Sequence, residues 1–484
     1  MSQNSKPEEA LKLIENNLRA AFADIRNRNH VVDTLKIDEE CQEIGRKLMV
    51  NHLGNSPAKG GLNKKLNIYI SAEIYLVGGH TREIEDWIKD TYKDRENIII
   101  LSGLMRKSQK EELEKLASEN IKIIGTNEVS LVKRIEWLQN LLRELNPDVI
   151  FVSTTPFDVV ALATIQPELV NKLYWNLSLD CSISIGLHLK GITKIIVKRP
   201  YIYFYFREFL KLKNLVYIPF NRPDSIGQLD HYVSNDRQKK IITASCASAH
   251  YKIETCYAHK FTSVIPNILK ITGGTHIHIG AISEAGLKDL YSNMDNLGVS
   301  RGKFILIKRV ERLAKFLHEN DVDILIQTFP FGGGLVSVEA MEAGKMIINH
   351  KNYSSYLLTP SDFCYEESLS WSNPDELYEY LKKLDRDEIV RQSKISRNFY
   401  EKHNKSENLR KICDLENMSG INIDDKKEAI DEMFHYKIDH YQKYLDELEL
   451  SKIKNPRKSL AKRLYNSVKK RIPYIKKNQN ERPD

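Results

Sequence analysis

The chain has no apolar run of 18 residues anywhere in its 484, so no segment is expected to span a bilayer as a helix. Its opening stretch, MSQNSKPEEALKLIENN, is polar and acidic and lacks the apolar centre of a secretory signal. Cysteine is scarce. Cys41, Cys181, Cys246, Cys256, Cys364 and Cys413 form no C-x-x-C pair, which argues against a zinc site or a disulfide scaffold and fits a reducing cytosol. No short fixed repeat occurs, so a solenoid is excluded. The body of the chain also lacks an excess of either charge. The net charge is +8, yet residues 451–484 alone hold twelve Lys or Arg against two acids. The remaining 450 residues carry 61 basic and 63 acidic side chains. A basic surface for nucleic acid is therefore not expected on the body.

What is present is alternation. The first 60 residues repeat apolar positions at three and four and read as helical, and GNSPAKGG (54–61) reads as a linker. From Lys65 onward, apolar strands such as LNIYISAE, ENIIILSG and PDVIFVST alternate with amphipathic helices such as TREIEDWIKDTYK and SLVKRIEWLQNLLRELN. The stretch 170–230 is less regular, with strand-like KLYWNL, TKIIVKR and LVYIPF. A second alternating series begins near Arg237: KKIITAS, a helix through KIETCYAHKFTSVIPNILKIT, THIHIG, KFILIK, VDILIQT and KMIINH. Each series implies a parallel sheet with helices on both faces. Two such domains in tandem imply a cleft at the carboxyl ends of their strands. Residues 373–415 read as helical and are expected to cross back to the first domain.

The stretch FPFGGGLVSVEAMEAG (329–344) puts three glycines between the strand VDILIQT and a helix. The glycines match neither G-x-G-x-x-G nor G-x-x-x-x-G-K-[ST]. A helix N-terminus offers unpaired N–H groups and partial positive charge, and glycine lets an anion approach them. Gly332, Gly333 and Gly334, with the amides of Leu335, Val336 and Ser337, thus form a candidate diphosphate seat. A tight strand-to-helix turn would need the same glycines. Glu339, one turn on, can accept from two vicinal hydroxyls or can complement the helix dipole.

These residues resemble the donor-binding segment of GT-B glycosyltransferases. FPFGGG is closest to the protein O-GlcNAc transferase group and its bacterial relatives. Two further stretches match. SAHYKIET (248–255) resembles the group's segment whose lysine neutralises the donor diphosphate, which assigns that role to Lys252 with Tyr251 beside it. GGHTRE (78–83) resembles the histidine-bearing loop, which places Gly79, His80 and Arg82 on the acceptor side, with His80 as general base or as sugar or phosphate ligand. A helix cap is the alternative for His80. ILIKRVERLAKFL (305–317) occupies the place where the family reads the nucleobase, by main chain near 308–310 and by Arg312. Asp180, in NLSLDCSISIG (176–186), is the ionisable residue left on the acceptor side. Retaining members carry a Glu eight residues before the ribose carboxylate. Here that position is Phe331, which implies inversion.

The resemblance implies a GT-B fold: two Rossmann-like, doubly wound domains facing a cleft. The expected organisation is an N-terminal helical segment (1–60), an acceptor-side domain (65–235), a nucleotide-sugar domain (236–372), a helical crossover (373–420) and a helical basic tail (421–484). It implies a nucleotide-sugar donor, UDP-linked by the family's habit, no cofactor, no metal, and a glycan, lipid-linked glycan or protein acceptor. A non-catalytic partner subunit and a nucleotide-sugar 2-epimerase are the alternatives. DVD (321–323) has metal-motif spacing but reads as the entry to a strand. His276 and His278 share one strand face and read as packing residues, with no third ligand nearby. In NPRKSLAKRLYNSVKKRIPYIKK (455–477), Leu460, Leu464, Val468 and Ile472 fall on one face amid Lys and Arg. Such a helix suits an anionic membrane surface. The expected location is cytoplasmic, peripheral to the inner face of the cell membrane.

Overall fold

The computed structural model describes residues 5–23, 34–54, 63–74, 79–91, 94–105, 121–177, 183–254, 257–352, 359–408 and 418–424. Two helices lead, α1 (Ser5–Ala23) and α2 (Leu35–Leu53). There follow β1 (Asn63–Ser71), α3 (Gly79–Thr91), β2 (Glu96–Leu104), β3 (Ile121–Thr126), α4 (Leu131–Leu145), β4 (Pro147–Val152), α5 (Val159–Thr164), β5 (Lys172–Leu177), β6 (Lys194–Val197), α6 (Pro200–Glu208) and β7 (Leu215–Tyr217). The second half comprises β8 (Ile242–Ala247), α7 (Tyr251–Glu254), α8 (Phe261–Thr272), β9 (Thr275–Gly280), α9 (Glu284–Asn296), β10 (Phe304–Ile307), α10 (Leu313–Glu319), β11 (Ile324–Ile326), α11 (Gly334–Glu342), β12 (Met346–His350), β13 (Leu369–Trp371), α12 (Pro374–Lys383) and α13 (Arg386–Phe399).

The strands form two parallel sheets, ordered β3-β2-β1-β4-β5-β6-β7 and β10-β9-β8-β11-β12-β13. In each, the first strand has its successors on one side and its fourth on the other, which opens a crevice at the carboxyl ends. The strands are buried on both faces, so they read as continuous apolar runs. This is the doubly wound, two-sheet architecture that the alternation implied.

The leading helices cover one face of the first sheet. Leu11, Leu18, Cys41 and Leu48 share a core with Ile68, Ile70 and Ile150. Glu8 of α1 accepts from the amides of Leu131 and Val132 and from Ser130 Oγ, at the start of α4. Burial opposes its ionisation, but these bonds and Lys12 still hold its carboxyl down to about 2. Asp38 of α2, fully buried, accepts from the amides of Gly186 and His188.

Two local expectations change. The helix expected through 252–272 is two, α7, which ends at Glu254, and α8, which begins at Phe261 with Lys260 as its N-cap. The irregular 170–230 contains a helix, α6, that starts with proline at its first position. At the C-terminal side, the chain does return to the first sheet. Lys405 bridges to Arg222, Met418 joins a separate cluster with Tyr69, Phe151 and Ile218 of the first half, and the amide of Ile421 donates to Tyr217 O.

The halves are pinned by Arg199, at the end of β6, and Asp362, in a short helical turn over Pro360–Phe363. Nε of Arg199 lies 2.7 Å from Asp362 Oδ1, with the side chains 2% and 3% exposed.

His276 and His278 are fully buried. His276 is bonded to Thr243 and Ser245, and Nδ1 of His278 to Ser245. His350 donates from Nδ1 to Trp371 O and accepts at Nε2 from Tyr257. Burial pushes His278 down to about 4; burial, together with the neighbouring His259, pushes His350 down to about 3. In the unfolded chain a histidine titrates near 6.5 and gains a proton that the fold excludes. Their stability contribution is therefore complete above pH 6.5 and is lost as pH falls towards 4 and 3. A melting-temperature series should decline from pH 6.5 to 4, with a shallower slope for His350→Gln; a flat series would contradict this.

Candidate active site

The second sheet brings together several residues expected on the donor side. β8 and β11 are neighbours at its centre, so α7 after β8 and the glycine loop after β11 emerge side by side. Lys252 on α7 has its Nζ 3.7 Å from the place a Cβ on Gly333 would take. The amide of Phe331 donates to Lys252 O at 3.3 Å, and the Tyr251 ring stands 6.1 Å from that of Phe331. Tyr251 is 41% exposed, whereas Phe331 is buried.

Residues beneath the loop hold its shape. Gln327 donates to Gly333 O and to Ser337 Oγ, and its Oε1 accepts from the Gly333 amide at 3.3 Å. Thr328 Oγ1 donates to Phe331 O, and Asn352 donates to Pro330 O. The Phe329–Pro330 peptide is cis. Ser337, expected to supply a contact for an anion, is instead fully buried in this support. The Gly333 amide is likewise turned towards Gln327. No side chain caps α11, whose first intrahelical bond runs from Ser337 N to Gly333 O. The amides of Gly334, Leu335 and Val336 precede that bond and constitute the helix's positive end.

Glu339 lies one turn along α11. Its Oε2 accepts from the amide of Leu313 at 3.2 Å, and its Oε1 lies 3.4 Å from Arg222 Nη2. Arg312, exposed, is the N-cap residue of α10 and precedes that Leu313. Cys246 ends up between the charges: burial, with the negative Glu339, pushes its thiol up to about 12, while Lys252 acts in the opposite sense.

On the first sheet, α3 begins at Gly79, which puts His80 and Arg82 in its first turn; nothing further is described of these two side chains. Asp180 lies outside the described residues. The structure adds residues that the sequence did not single out. Glu83 and Asp86, both buried on α3, pair with Lys198 Nζ at 2.5 Å and with Arg222 Nη1 at 2.6 Å. Lys198 lies over the Trp87 ring at 5.0 Å. At the ends of β4 and β5, Asn176 donates to Ser153 Oγ, and its buried Oδ1 has no partner among the described residues. The i, i+3 spacing of Glu83 and Asp86 puts both acids on one face of the helix, but no sequence signal marked that face as the buried one. Asp323 of the Asp-Val-Asp motif accepts from Arg386 and from the Ile242 amide, a structural role.

No protein-family model matches the sequence, and no curated protein matches it. Solved structures do match. A glycosyltransferase from Rickettsia africae aligns with a TM-score of 0.52 at 16% identity, over 77% of this chain and 99% of that one. Anabaena HepE, in complex with UDP, aligns with a TM-score of 0.54 at 14% identity, over 71% of this chain and 97% of that one. The lipopolysaccharide outer core galactosyltransferase WaaB, in its apo form, gives 0.50 at 11%, over 70% and 95%. The fold is GT-B. At these identities the likeness carries the architecture, and the chemistry has to be argued from the cleft itself.

The glycines differ in what they tolerate. A methyl on Gly334 would lie 2.9 Å from ring atoms of both Phe220 and Phe363, whereas one on Gly333 would meet nothing closer than Val336 Cγ2 at 3.4 Å. Gly333 has φ −145°, which alanine adopts freely. Gly334→Ala should cost about 1–3 kcal/mol by overpacking. Gly333→Ala should stay within about 0.5 kcal/mol of the parent. Urea unfolding of the two variants checks the contrast.

Proposed function

We propose that this chain is a glycosyltransferase that moves a sugar from a nucleoside diphosphate donor, UDP-linked, to a hydroxyl of a glycan, lipid-linked glycan or protein, with inversion and without a metal. The observation that carries this reading is the ammonium of Lys252 beside the glycine loop, at the uncapped start of α11 and at the switch point of the second sheet. That arrangement suits a diphosphate. As the bond between the anomeric carbon and the diphosphate oxygen breaks, the electron pair leaves with the phosphate. Lys252 and the amides of Gly334, Leu335 and Val336 meet the growing charge without reorganising. Glu339 takes the ribose hydroxyls, and the chain over 308–312 borders the base. The acceptor oxygen forms the new bond from the opposite face as its proton passes to His80. The buried Phe331, where a retaining enzyme has a carboxylate, supports a single displacement. HepE's complex with UDP supports the choice of nucleotide. The carboxylates found at the cleft, Glu83, Asp86 and Glu339, lie beside cations, which disfavours an epimerase's acid–base pair.

A peripheral membrane position belongs to the same proposal. No helix among the described residues is long and apolar enough to cross a bilayer. The segment 455–477 lies outside the described residues. Asp424, where the described chain ends, pairs with Arg207 of α6, a helix rich in Tyr and Phe, and Phe209 just beyond it is 56% exposed. Aromatic and basic residues together suit a lipid interface, with each basic side chain adding about 1 kcal/mol near anionic lipid.

Lys252→Ala should lower donor turnover by about 10²–10³ while the fold persists. Hydrolysis of a panel of nucleotide sugars by the purified protein measures it, and equal rates would refute the assignment; binding without turnover in the parent would indicate a non-catalytic subunit. The full chain should sediment with phosphatidylserine-containing vesicles, and a chain lacking 451–484 should not.

A further inference from the structure

Arg222 stands where three acids converge. It lies between β7 and β8, and its main chain is fixed by the returning C-terminal segment. Its amide donates to Asn404 O at 2.8 Å, and its carbonyl accepts from Ser406 N at 3.0 Å and from Tyr400 OH at 2.8 Å. The guanidinium, 7% exposed, reaches in two directions. Nη1 meets Asp86 Oδ2 on α3 of the first domain at 2.6 Å, and Nη2 stands 3.4 Å from Glu339 Oε1 on α11 of the second. Its Nε is buried without a partner among the described residues. Glu342, three residues after Glu339, completes the group; it accepts from the amide and hydroxyl of Ser225. Burial raises the Glu342 carboxyl above its usual range, bonds to Ser225 lower it, and the charge of Glu339 adds to the rise. Two carboxylates on one buried helix face repel each other, and the nearby guanidinium offsets that repulsion.

We propose that Arg222 is a positioning residue: it holds Glu339 oriented for the donor ribose, and through Asp86 it ties that carboxylate to the helix that carries His80. This rests on the donor reading above. The fork geometry matters. A guanidinium can meet two carboxylates at fixed angles, and an ammonium cannot. The Leu313 amide fixes one oxygen of Glu339 and Arg222 approaches the other, so the carboxylate has little rotational freedom left. Because the tighter arm of Arg222 is anchored on the first domain, the orientation of Glu339 depends on how the two domains meet.

Calorimetric titration with UDP, with GDP, ADP and CDP in parallel, and with inorganic pyrophosphate, tests this on the full chain. Arg222→Gln should weaken the nucleoside diphosphate about tenfold, as expected for losing a charged hydrogen-bonding partner. Pyrophosphate, which has no ribose, should bind unchanged. Glu339→Gln should show the same pattern, and the double variant should bind no more weakly than Glu339→Gln alone. Arg222→Lys should recover part of the affinity. If Arg222→Gln does not fold, Asp86→Asn should show a smaller loss, again only when Glu339 is present. An equal loss in the Glu339→Gln background, or an equal loss for pyrophosphate, overturns the inference and leaves the donor reading standing. No binding of any nucleoside diphosphate to the parent chain overturns both.

Discussion

The Arg199–Asp362 ion pair sets the frame in which the cleft works. Asp362 accepts from Arg199 Nε and from the amide of Tyr201, while Arg199 also donates to Thr359 O. A buried pair of this kind earns little net stability against its desolvation, but it is strongly destabilising to break, because an unpaired charge would remain. It therefore acts as a registration device between the two sheets. The next residue, Phe363, packs on Gly334 together with Phe220. A contact between domains thus fixes where the glycine loop ends, and with it the start of α11.

The loop itself is shaped from below. Gln327, Thr328 and Asn352 satisfy its main-chain groups, and Ser337 is absorbed into the same network. That leaves the outer side of the loop to Lys252 and to the amides that no side chain caps. The glycines serve here by lacking side chains rather than by adopting unusual backbone angles: none of the three has a positive φ. At Gly334 the missing Cβ admits two phenylalanine rings, whereas a Cβ at Gly333 would lie in ordinary contact with the lysine ammonium.

The charges around the cleft follow one pattern, in which an acid on one element meets a base delivered from another. Lys198 at the end of β6 meets Glu83, and Arg222 meets Asp86 and Glu339. None of these basic partners is near its acid in sequence. This is why the sequence suggested Lys252 and Glu339, which belong to a motif, and gave no sign of Arg222 or Lys198. The two acids on α3 were readable as sharing one helix face, but neither their burial nor their partners were. The first-sheet side of the cleft was the least legible: His80 could be placed at a helix start, while the neutral pairing of Asn176 with Ser153 emerged only from the juxtaposition of β4 and β5.

The sequence by itself determined the alternation of strand and helix, hence two parallel sheets, and the glycine loop, because these follow from periodicity and from local backbone chemistry; Lys252 was pointed to only by the resemblance of its segment. It also marked 170–230 as irregular without finding α6, and it joined α7 to α8, since apolar periodicity alone does not mark where one helix ends and the next begins. Only the tertiary structure decided which amides of the loop are already taken, that Ser337 faces inward, and that one arginine connects carboxylates of both domains. The arginine's links join residues more than a hundred positions apart in a low-dielectric interior, where sequence distance carries no information about pairing. Even the short-range bonds from Gln327 to Gly333 and Ser337 depend on side-chain directions that only packing sets.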